Sequence, residues 1–255
     1  MKVDSSEQKK LIEENIRVHD KIAEDYNSRH GEIFNDVEQK RLFTTLKRAL
    51  DFIRTDAIPV KALDYGSGSG NVTRHLLEFN IDVVAADVSK HFLALVSEQY
   101  SNDRLITLNL NGKDLEEVKT NSFDFITVYS VLHHIPDYLA AITELARVCK
   151  PGGVIYLDHE PTEQFWSMDL VYQEFQSAAL RIDWKKFFVP ANYIGKVRRW
   201  FNPKYTNEGD IHVWEDDHIE WEQIKKTLKE LGFEIVLSED YLLYRNLYRL
   251  DVYNK

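Results

Sequence analysis

Apolar and polar positions follow two successive patterns along the chain. Residues 5–55 place apolar side chains at helical spacing, first in LIEENIRVHDKIAEDY and again in VEQKRLFTTLKRALDFI. From position 60, short apolar runs alternate with amphipathic segments. Because strands that alternate with helices need crossover connections, this second pattern predicts a mostly parallel α/β sheet with helices on both faces.

The alternating region predicts five strands, three helices and one break before a closing unit. The strands are predicted at Val60–Tyr65, Ile81–Ala86, Arg104–Asn109, Phe123–Tyr129 and Val154–Leu157. The helices are predicted at Asn71–Phe79, Ser89–Tyr100 and Asp137–Cys149. Lys-Pro-Gly-Gly at 150–153 predicts a break. The closing unit is a helix, Ile219–Leu231, capped by Gly232, and two strands, Phe233–Leu237 and Leu247–Tyr253.

A long stretch, 161–217, interrupts the alternation. It holds four of the five tryptophans and is too long for a plain connection in a compact sheet. Its aromatic content favours an ordered lid. We therefore expect one domain over residues 1–255, with an N-terminal helical cap at 1–55 and a substrate lid at 161–217.

Composition excludes several classes of protein. Hydrophobic residues make up 44% and charged residues 29%, too apolar for a disordered chain. The single cysteine, Cys149, excludes an internal disulfide and a cysteine-based zinc site, and its apolar context favours a buried structural thiol. No apolar run reaches the length of a membrane span, and the N-terminus lacks the apolar core of a signal peptide. We expect a soluble, cytoplasmic protein.

Charge is unevenly distributed. The formal net charge is −10, which argues against a broad nucleic-acid surface. The window 181–205 nevertheless carries +6, so the rest of the chain carries −16. Basic residues beside Trp and Phe suit contact with an anionic or amphiphilic acceptor, or peripheral contact with a lipid surface. The alternative is a solvated lid face with ordinary salt bridges.

A glycine-rich turn carries the candidate chemistry. The sequence Ala-Leu-Asp-Tyr-Gly-Ser-Gly-Ser-Gly-Asn at 62–71 joins a predicted strand to a predicted helix. Glycines allow a ligand to approach the backbone, and the helix N-terminus offers free N–H groups. The turn does not match the dinucleotide-binding fingerprint, which needs glycine at its first, third and sixth positions, because the sixth position here would be Asn71 or Thr73. It does not match a phosphate-binding P-loop either, because no Gly-Lys-Ser/Thr follows. Asp87, at the end of the next strand, suits two ribose hydroxyls or, alternatively, the start of a helix.

Beyond the glycine turn, further segments match one family in order and spacing. They are SFDFI at 122–126, VYSVLHHIPD at 128–137, LARV at 145–148, KPGG at 150–153 and IAEDY at 22–26. Together with the glycine turn, they make the chain resemble the class I S-adenosylmethionine-dependent methyltransferases, in particular the small-molecule branch that includes quinone methyltransferases. The resemblance implies a Rossmann-like seven-stranded sheet in the order 3-2-1-4-5-7-6 with the last strand antiparallel. It also implies S-adenosyl-L-methionine as cofactor.

The same resemblance implies roles for matching positions. Asp64 would hold the methionine amino group, directly or through water. The backbone of Gly66, Ser67 and Gly68 would line the cofactor. Asp87 would bind the ribose, and Val88 would pack on the adenine. Ser130 would lie beside the methyl group, and Tyr26 would cover the site. The segment after the third strand departs from the family pattern, so Asn111, Gly112 and Asp114 are alternatives for the adenine amino group.

Three histidines are candidate bases. His133 and His134 follow the fourth strand and His159 ends the fifth, and histidine titrates near neutral pH. The alternative for His133 and His134 is a structural or positioning role. The alternative for His159 is an ordinary hydrogen-bonded histidine in a loop. A metal cluster of His212, Asp216, Asp217 and His218, with His159 and Glu160, matches no known ligand spacing, so no metal is expected.

The expected reaction is methyl transfer to a small-molecule acceptor, with oxygen the first choice of acceptor atom before carbon or nitrogen. The alternatives are another transferase that uses a modified S-adenosylmethionine, a non-catalytic cofactor-binding module, and a methyltransferase of macromolecules. The oligomeric state is not predicted.

Overall fold

The computed structural model describes residues 33–54, 58–160 and 219–241, together with positions 10, 12, 13, 16, 17, 20 and 30. Within these ranges five parallel strands form one sheet in the order β3-β2-β1-β4-β5. The strands are β1 (Lys61–Tyr65), β2 (Asp82–Asp87), β3 (Leu105–Asn109), β4 (Phe123–Tyr129) and β5 (Cys149–Asp158). The five helices that we label are α1 (Asp36–Leu50), α2 (Asn71–Glu78), α3 (Lys90–Gln99), α4 (Tyr138–Val148) and α5 (Trp221–Glu230).

Local side-chain caps fix where the helices begin. Asn35 accepts hydrogen bonds from two backbone N–H groups of α1, and Ser89 accepts one from Phe92 in α3. Asp137 caps α4 in the same way through Ala140. Each cap satisfies N–H groups that have no partner inside their helix, so the predicted and observed starts agree within one residue.

The interior strand β4 is buried along its whole length, and apolar clusters cover both faces of the sheet. One cluster packs β4 against α4 and α5 through residues such as Ile126, Leu145 and Ile224. The other packs β1 and β4 against α1 and α2 through residues such as Phe125, Leu46 and Leu76. Helices on both faces confirm the expected α/β layering. Cys149 is buried in the first cluster, and burial raises the pKa of its thiol to about 12.

Two sequence expectations differ from the structure. The Lys-Pro-Gly-Gly segment lies inside β5, which begins at Cys149, and does not precede the strand. The strand accommodates it through a register shift opposite Phe123 and Phe125 and a positive φ at Gly152. Residues 233–240 follow α5 without a strand, and the proposed partner at 247–253 lies outside the described residues. The order of the first five strands agrees with the expectation, and the full seven-stranded order stays a prediction.

Candidate functional site

A cavity opens at the carboxyl ends of β1, β2 and β4. The cavity is partly open to solvent. The predicted residues that border it are Gly66, Ser67, Gly68, Asp87, Val88, Gly112, Ser130 and His134. Other residues on its wall are Ile12, Ile33, Phe34, Tyr65, Ser69, Asn71, Phe92, Leu110, Tyr129, Val131, Ile135 and Pro136. The carboxyl edge of an open parallel sheet is where such folds bind ligands.

The glycine turn is held to β2 by its own backbone. The N–H groups of Gly66 and Ser67 donate to the carbonyl of Ala86 at 2.8 and 3.0 Å, and the N–H of Gly68 donates to the Asp87 carboxylate at 2.9 Å. Gly66 and Gly68 have φ values of 72° and 48°, a left-handed conformation that glycine adopts without a steric penalty. A Cβ at Gly68 would meet no atom of the described residues within 4 Å, so the described part of the turn leaves space there for a ligand.

Two buried polar atoms on the cavity wall lack a hydrogen-bond partner among the described residues. They are the hydroxyl of Ser67 and the amide nitrogen of Asn71. The Asn71 side-chain oxygen accepts from the amide of Gln39 at 2.9 Å, which leaves the amide nitrogen as the group still to be satisfied. Asn71 is also the first residue of α2, where the helix dipole favours negative charge. These donors suit the carboxylate of a methionine-like group.

Asp87 and its surroundings form the second half of the cavity. One oxygen of Asp87 accepts from Gly68 and the other from the N–H of Ser89 at 2.8 Å, so the carboxylate both braces the glycine turn and stands beside the start of α3. Apolar side chains continue the wall at Ile12, Val88, Phe92 and Leu110. The polar Asp87 followed by these apolar side chains is suited to a ribose joined to an adenine.

Asp64 lies below the cavity and is not among the residues that border it. It is 1% exposed and accepts from the hydroxyls of Thr73 at 2.6 Å and Thr127 at 3.1 Å. Burial raises its pKa to about 6, although both hydroxyls act in the opposite direction. Its described contacts are therefore structural, and the predicted contact with the methionine amino group would need an intervening water.

Asn111 is used within its own loop. Its amide nitrogen donates to Asp114 at 2.9 Å, and its oxygen accepts from the N–H groups of Lys113 and Asp114. Of the three alternatives for the adenine end, only Gly112 borders the cavity.

The three histidines occupy different positions. His134 borders the cavity, and His133 turns away from it, with its Nδ1 2.7 Å from the Glu160 carboxylate. His159 is half-buried with its ring 4.8 Å from the Tyr129 ring, and its φ is 60°. Burial lowers the pKa of His159, although Asp158 and neighbouring carboxylates oppose the shift. Only His134 among the three lies on the wall of the described cavity.

A charged network lies behind Tyr129. The guanidinium of Arg41 donates to Glu38 and, at 2.9 Å, to Asp158, while the Tyr129 hydroxyl donates to Glu38 at 3.0 Å. Tyr241 donates to the other oxygen of Asp158 at 2.6 Å. The network joins α1, the end of β5 and the segment that follows α5. It supports the cavity wall from outside.

Sequence reasoning missed two contributors, Asn71 and Glu160. Asn71 could have been found as the first helical residue after the glycine turn, whereas Glu160 was considered only as a metal ligand. The described residues include no group of three or more His, Cys, Asp or Glu placed to hold a metal ion. Tyr26, the window 181–205 and the cluster at 212–218 lie outside the described residues. None of the described helices is both long enough and apolar enough to cross a membrane.

Comparison with known proteins finds a family similarity in one segment of the chain. The sequence model named Methyltransferase domain matches residues 63–157, the segment that builds β1 to β5 and most of the cavity. Residues 63–157 are therefore similar to a methyltransferase domain. This match agrees with the resemblance to S-adenosylmethionine-dependent methyltransferases that the sequence motifs indicate.

Similar proteins extend the comparison. A ubiquinone biosynthesis O-methyltransferase from Xanthomonas oryzae pv. oryzae is 29% identical over 127 residues, which cover 48% of this chain and 53% of the relative. A demethylmenaquinone methyltransferase from Bacillus licheniformis is 33% identical over 123 residues, covering 45% and 51%. The crystal structure of the YcgJ protein from Bacillus subtilis superimposes with a TM-score of 0.48 at 18% identity, covering 74% of this chain and 66% of that one. The chain spans about half the length of the curated relatives that it matches.

Proposed function

We propose that this protein transfers a methyl group from S-adenosylmethionine to a small-molecule acceptor. The observation that carries the proposal is the cavity itself. The glycine turn and the carboxylate of Asp87 meet the turn after β4 at one edge of the sheet. The same edge holds the Ser67 and Asn71 donors, which have no partner among the described residues. Cofactor-binding groups thus lie beside a wall that an acceptor can reach.

The chain's own residues have a limited chemical task. S-adenosylmethionine supplies an electrophilic methyl group when it is bound. The cavity walls must align the acceptor for in-line displacement and exclude water, and no covalent intermediate with the protein is required. His134 is the proposed group that receives a proton from a hydroxyl acceptor, because it borders the cavity. His133 and His159 are proposed as supporting residues.

The acceptor is proposed to be apolar or aromatic near its reactive atom. Ile33, Phe34, Tyr129, Ile135 and Pro136 form this part of the wall. Oxygen is the first choice of acceptor atom, then carbon or nitrogen, and the similar quinone methyltransferases support an acceptor with a ring. An anionic or amphiphilic tail is proposed to meet the basic window 181–205, and peripheral membrane contact through that window stays a proposal.

The remaining architecture is proposed from the sequence pattern. The helical cap at 1–55 and the lid at 161–217 would close the cavity within a single domain. The seven-stranded order 3-2-1-4-5-7-6, with the last strand antiparallel, stays a proposal that needs strands beyond the five described, since the expected strand at 233–237 is not formed. Two described contacts support a cap: Ile12 borders the cavity and Asp20 accepts from the Ser89 hydroxyl.

Calorimetry with S-adenosylmethionine and S-adenosylhomocysteine tests the cofactor, and transfer of a labelled methyl group to a panel of phenols, hydroquinones and amines tests the reaction. The proposal expects binding of both cofactor forms and labelling of at least one acceptor. Preference for decarboxylated or carboxylated cofactor analogues would instead identify another transferase, and tight binding without turnover would identify a binding module. Absence of binding to both cofactor forms would refute the proposal.

A further inference from the structure

The Glu160 carboxylate collects four hydrogen bonds from one turn of the chain. It accepts from the N–H of Val131 at 2.6 Å, of Leu132 at 2.7 Å and of His133 at 3.3 Å, and it lies 2.7 Å from the His133 Nδ1. Its side chain has no exposed surface. The chain leaves β4 at Tyr129, so these N–H groups lie beyond the end of the strand, and the carboxylate accepts from all three.

The turn that Glu160 holds forms one wall of the cavity. Ser130, Val131 and His134 all border it. Val131 also packs directly on the glycine turn, since a Cβ at Gly66 would lie 2.3 Å from its Cγ2. The rings of His133 and His134 are 4.0 Å apart. A displacement of this backbone would therefore move both the wall beside the glycine turn and the imidazole that faces the cavity.

We propose that Glu160 is a positioning residue: it fixes the turn 130–134 and thereby the distance between the acceptor-facing wall and the glycine turn. The inference rests on the proposed function, because it assigns the cavity to the cofactor. A carboxylate suits this task better than an amide. Its two oxygens both accept, whereas a glutamine would present one NH₂ group to donors that already point at it. The His133 Nδ1–H donates to Glu160, which also fixes the tautomer and orientation of that ring.

Asp124 provides a matched control. Its side chain likewise has no exposed surface, and it accepts from the N–H of Lys61 at 3.0 Å and from the Lys150 ammonium at 2.9 Å. It lies near the amino end of β4, at the opposite edge of the sheet from the cavity. Replacement of either acid removes a buried, hydrogen-bonded charge, but only Glu160 touches the cavity wall.

The experiment compares Glu160→Gln with Asp124→Asn in the full chain. Calorimetry measures the Kd for S-adenosylhomocysteine, differential scanning calorimetry measures the Tm, and ¹H–¹⁵N spectra follow the Gly66 and Val131 amides and the His134 ring. We expect both variants to have a lower Tm than the wild type. We expect only Glu160→Gln to weaken binding, by about tenfold, and to move the Gly66 and His134 signals. If Glu160→Gln does not fold, Glu160→Asp keeps the charge and is expected to give a smaller loss of the same kind.

Equal Kd values, within about twofold, for wild type, Glu160→Gln and Asp124→Asn would overturn the inference and leave Glu160 a purely structural group. Failure of the wild type to bind S-adenosylhomocysteine would instead refute the proposed function. In that case only the spectra test whether Glu160 positions the turn. Unchanged Gly66 and His134 signals in Glu160→Gln would then refute the positioning role.

Discussion

The carboxylate of Asp87 accepts a hydrogen bond from the backbone N–H of Gly68 at 2.9 Å. The acid at the tip of β2 therefore shapes the glycine turn, in addition to any contact with a ribose. Its second oxygen accepts from Ser89, so a single side chain joins the turn to the beginning of α3. A change at Asp87 would therefore alter both the geometry of the glycine turn and the affinity for a nucleoside.

Asp87→Ala should lower stability and cofactor affinity together. Two backbone N–H groups, one part-buried and one buried, lose their acceptor, which costs about 1–3 kcal/mol each. The Kd for S-adenosylhomocysteine should rise by at least about tenfold in calorimetry. Asp82→Ala is the control, because Asp82 lies in the same strand and its side chain pairs with Arg104 at the surface. A Kd for Asp87→Ala close to that of Asp82→Ala would exclude Asp87 from the site.

Gly68→Val should block the cavity without a clash inside the protein. The new side chain would enter open space, but in front of the glycine turn. Gly232→Val is a matched control, because Gly232 also has a positive φ and open space around its Cβ, beyond the end of α5. The left-handed backbone should cost both variants about 1–2 kcal/mol of stability. Only Gly68→Val should abolish binding of S-adenosylhomocysteine, and equal binding by both variants would contradict the assignment of the turn.

The buried Asp64 predicts a pH dependence of stability. Its folded pKa of about 6 lies above the usual value of 3.8, so folding favours the protonated form. The stabilisation is complete below about pH 4 and is lost as pH rises through about 6, for a total of about 3 kcal/mol. Asp64→Asn mimics the protonated acid. Urea unfolding at several pH values should therefore show the wild type losing stability relative to Asp64→Asn between pH 4 and 7. A difference that does not vary with pH would show that Asp64 titrates normally.

Two arginines of α1 should differ sharply in their contribution to stability. Arg41 pairs with Asp158 and Glu38, both nearly buried, whereas Arg48 pairs with Glu239 where both side chains are more than half exposed. Arg41→Met leaves two buried carboxylates without their cation and should cost about 3–5 kcal/mol. Arg48→Met should cost less than about 1 kcal/mol. Chemical denaturation measures both, and similar losses would mean that the Arg41 network adds nothing beyond a surface pair.

The regular elements could be predicted because their signals are local. The starts of α2 and α4 and the ends of β3 and β4 follow from apolar periodicity and from turn or capping residues within a few positions. The glycine turn and Asp87 were recognisable for the same reason. The extent of β5 was not, since pairing with β4 overrides the local tendency of Lys-Pro-Gly-Gly to interrupt a strand.

Contacts between distant positions could not be predicted. Glu160 meets its partners 27 to 29 residues away, and Arg41 meets Asp158 across 117 residues. Such pairs arise only after the strand order has brought β4, β5 and α1 together. The same holds for Asp64 and His159, whose residue types fit a site but whose positions under or behind the cavity depend on how neighbouring side chains pack.

Gly66 and Val131 should show second-site rescue. A Cβ at Gly66 would lie 2.3 and 2.7 Å from the two methyl carbons of Val131, and no other side chain is among its nearest contacts. Gly66→Ala should therefore destabilise the protein and weaken binding of S-adenosylhomocysteine. Val131→Ala removes both methyl groups, so the double variant should recover most of the loss. The recovery should stop about 1–2 kcal/mol short of wild type, because the φ of 72° still strains an alanine.

A double-mutant cycle on the free energy of unfolding and on the Kd measures this coupling. Val131→Ala alone is the reference for lost packing, and Gly232→Ala is the reference for alanine at a positive φ without a nearby side chain. Additive effects of Gly66→Ala and Val131→Ala would show that the two turns move independently. Strong coupling in both quantities would show that the turn after β4 and the glycine turn bind the cofactor as one unit.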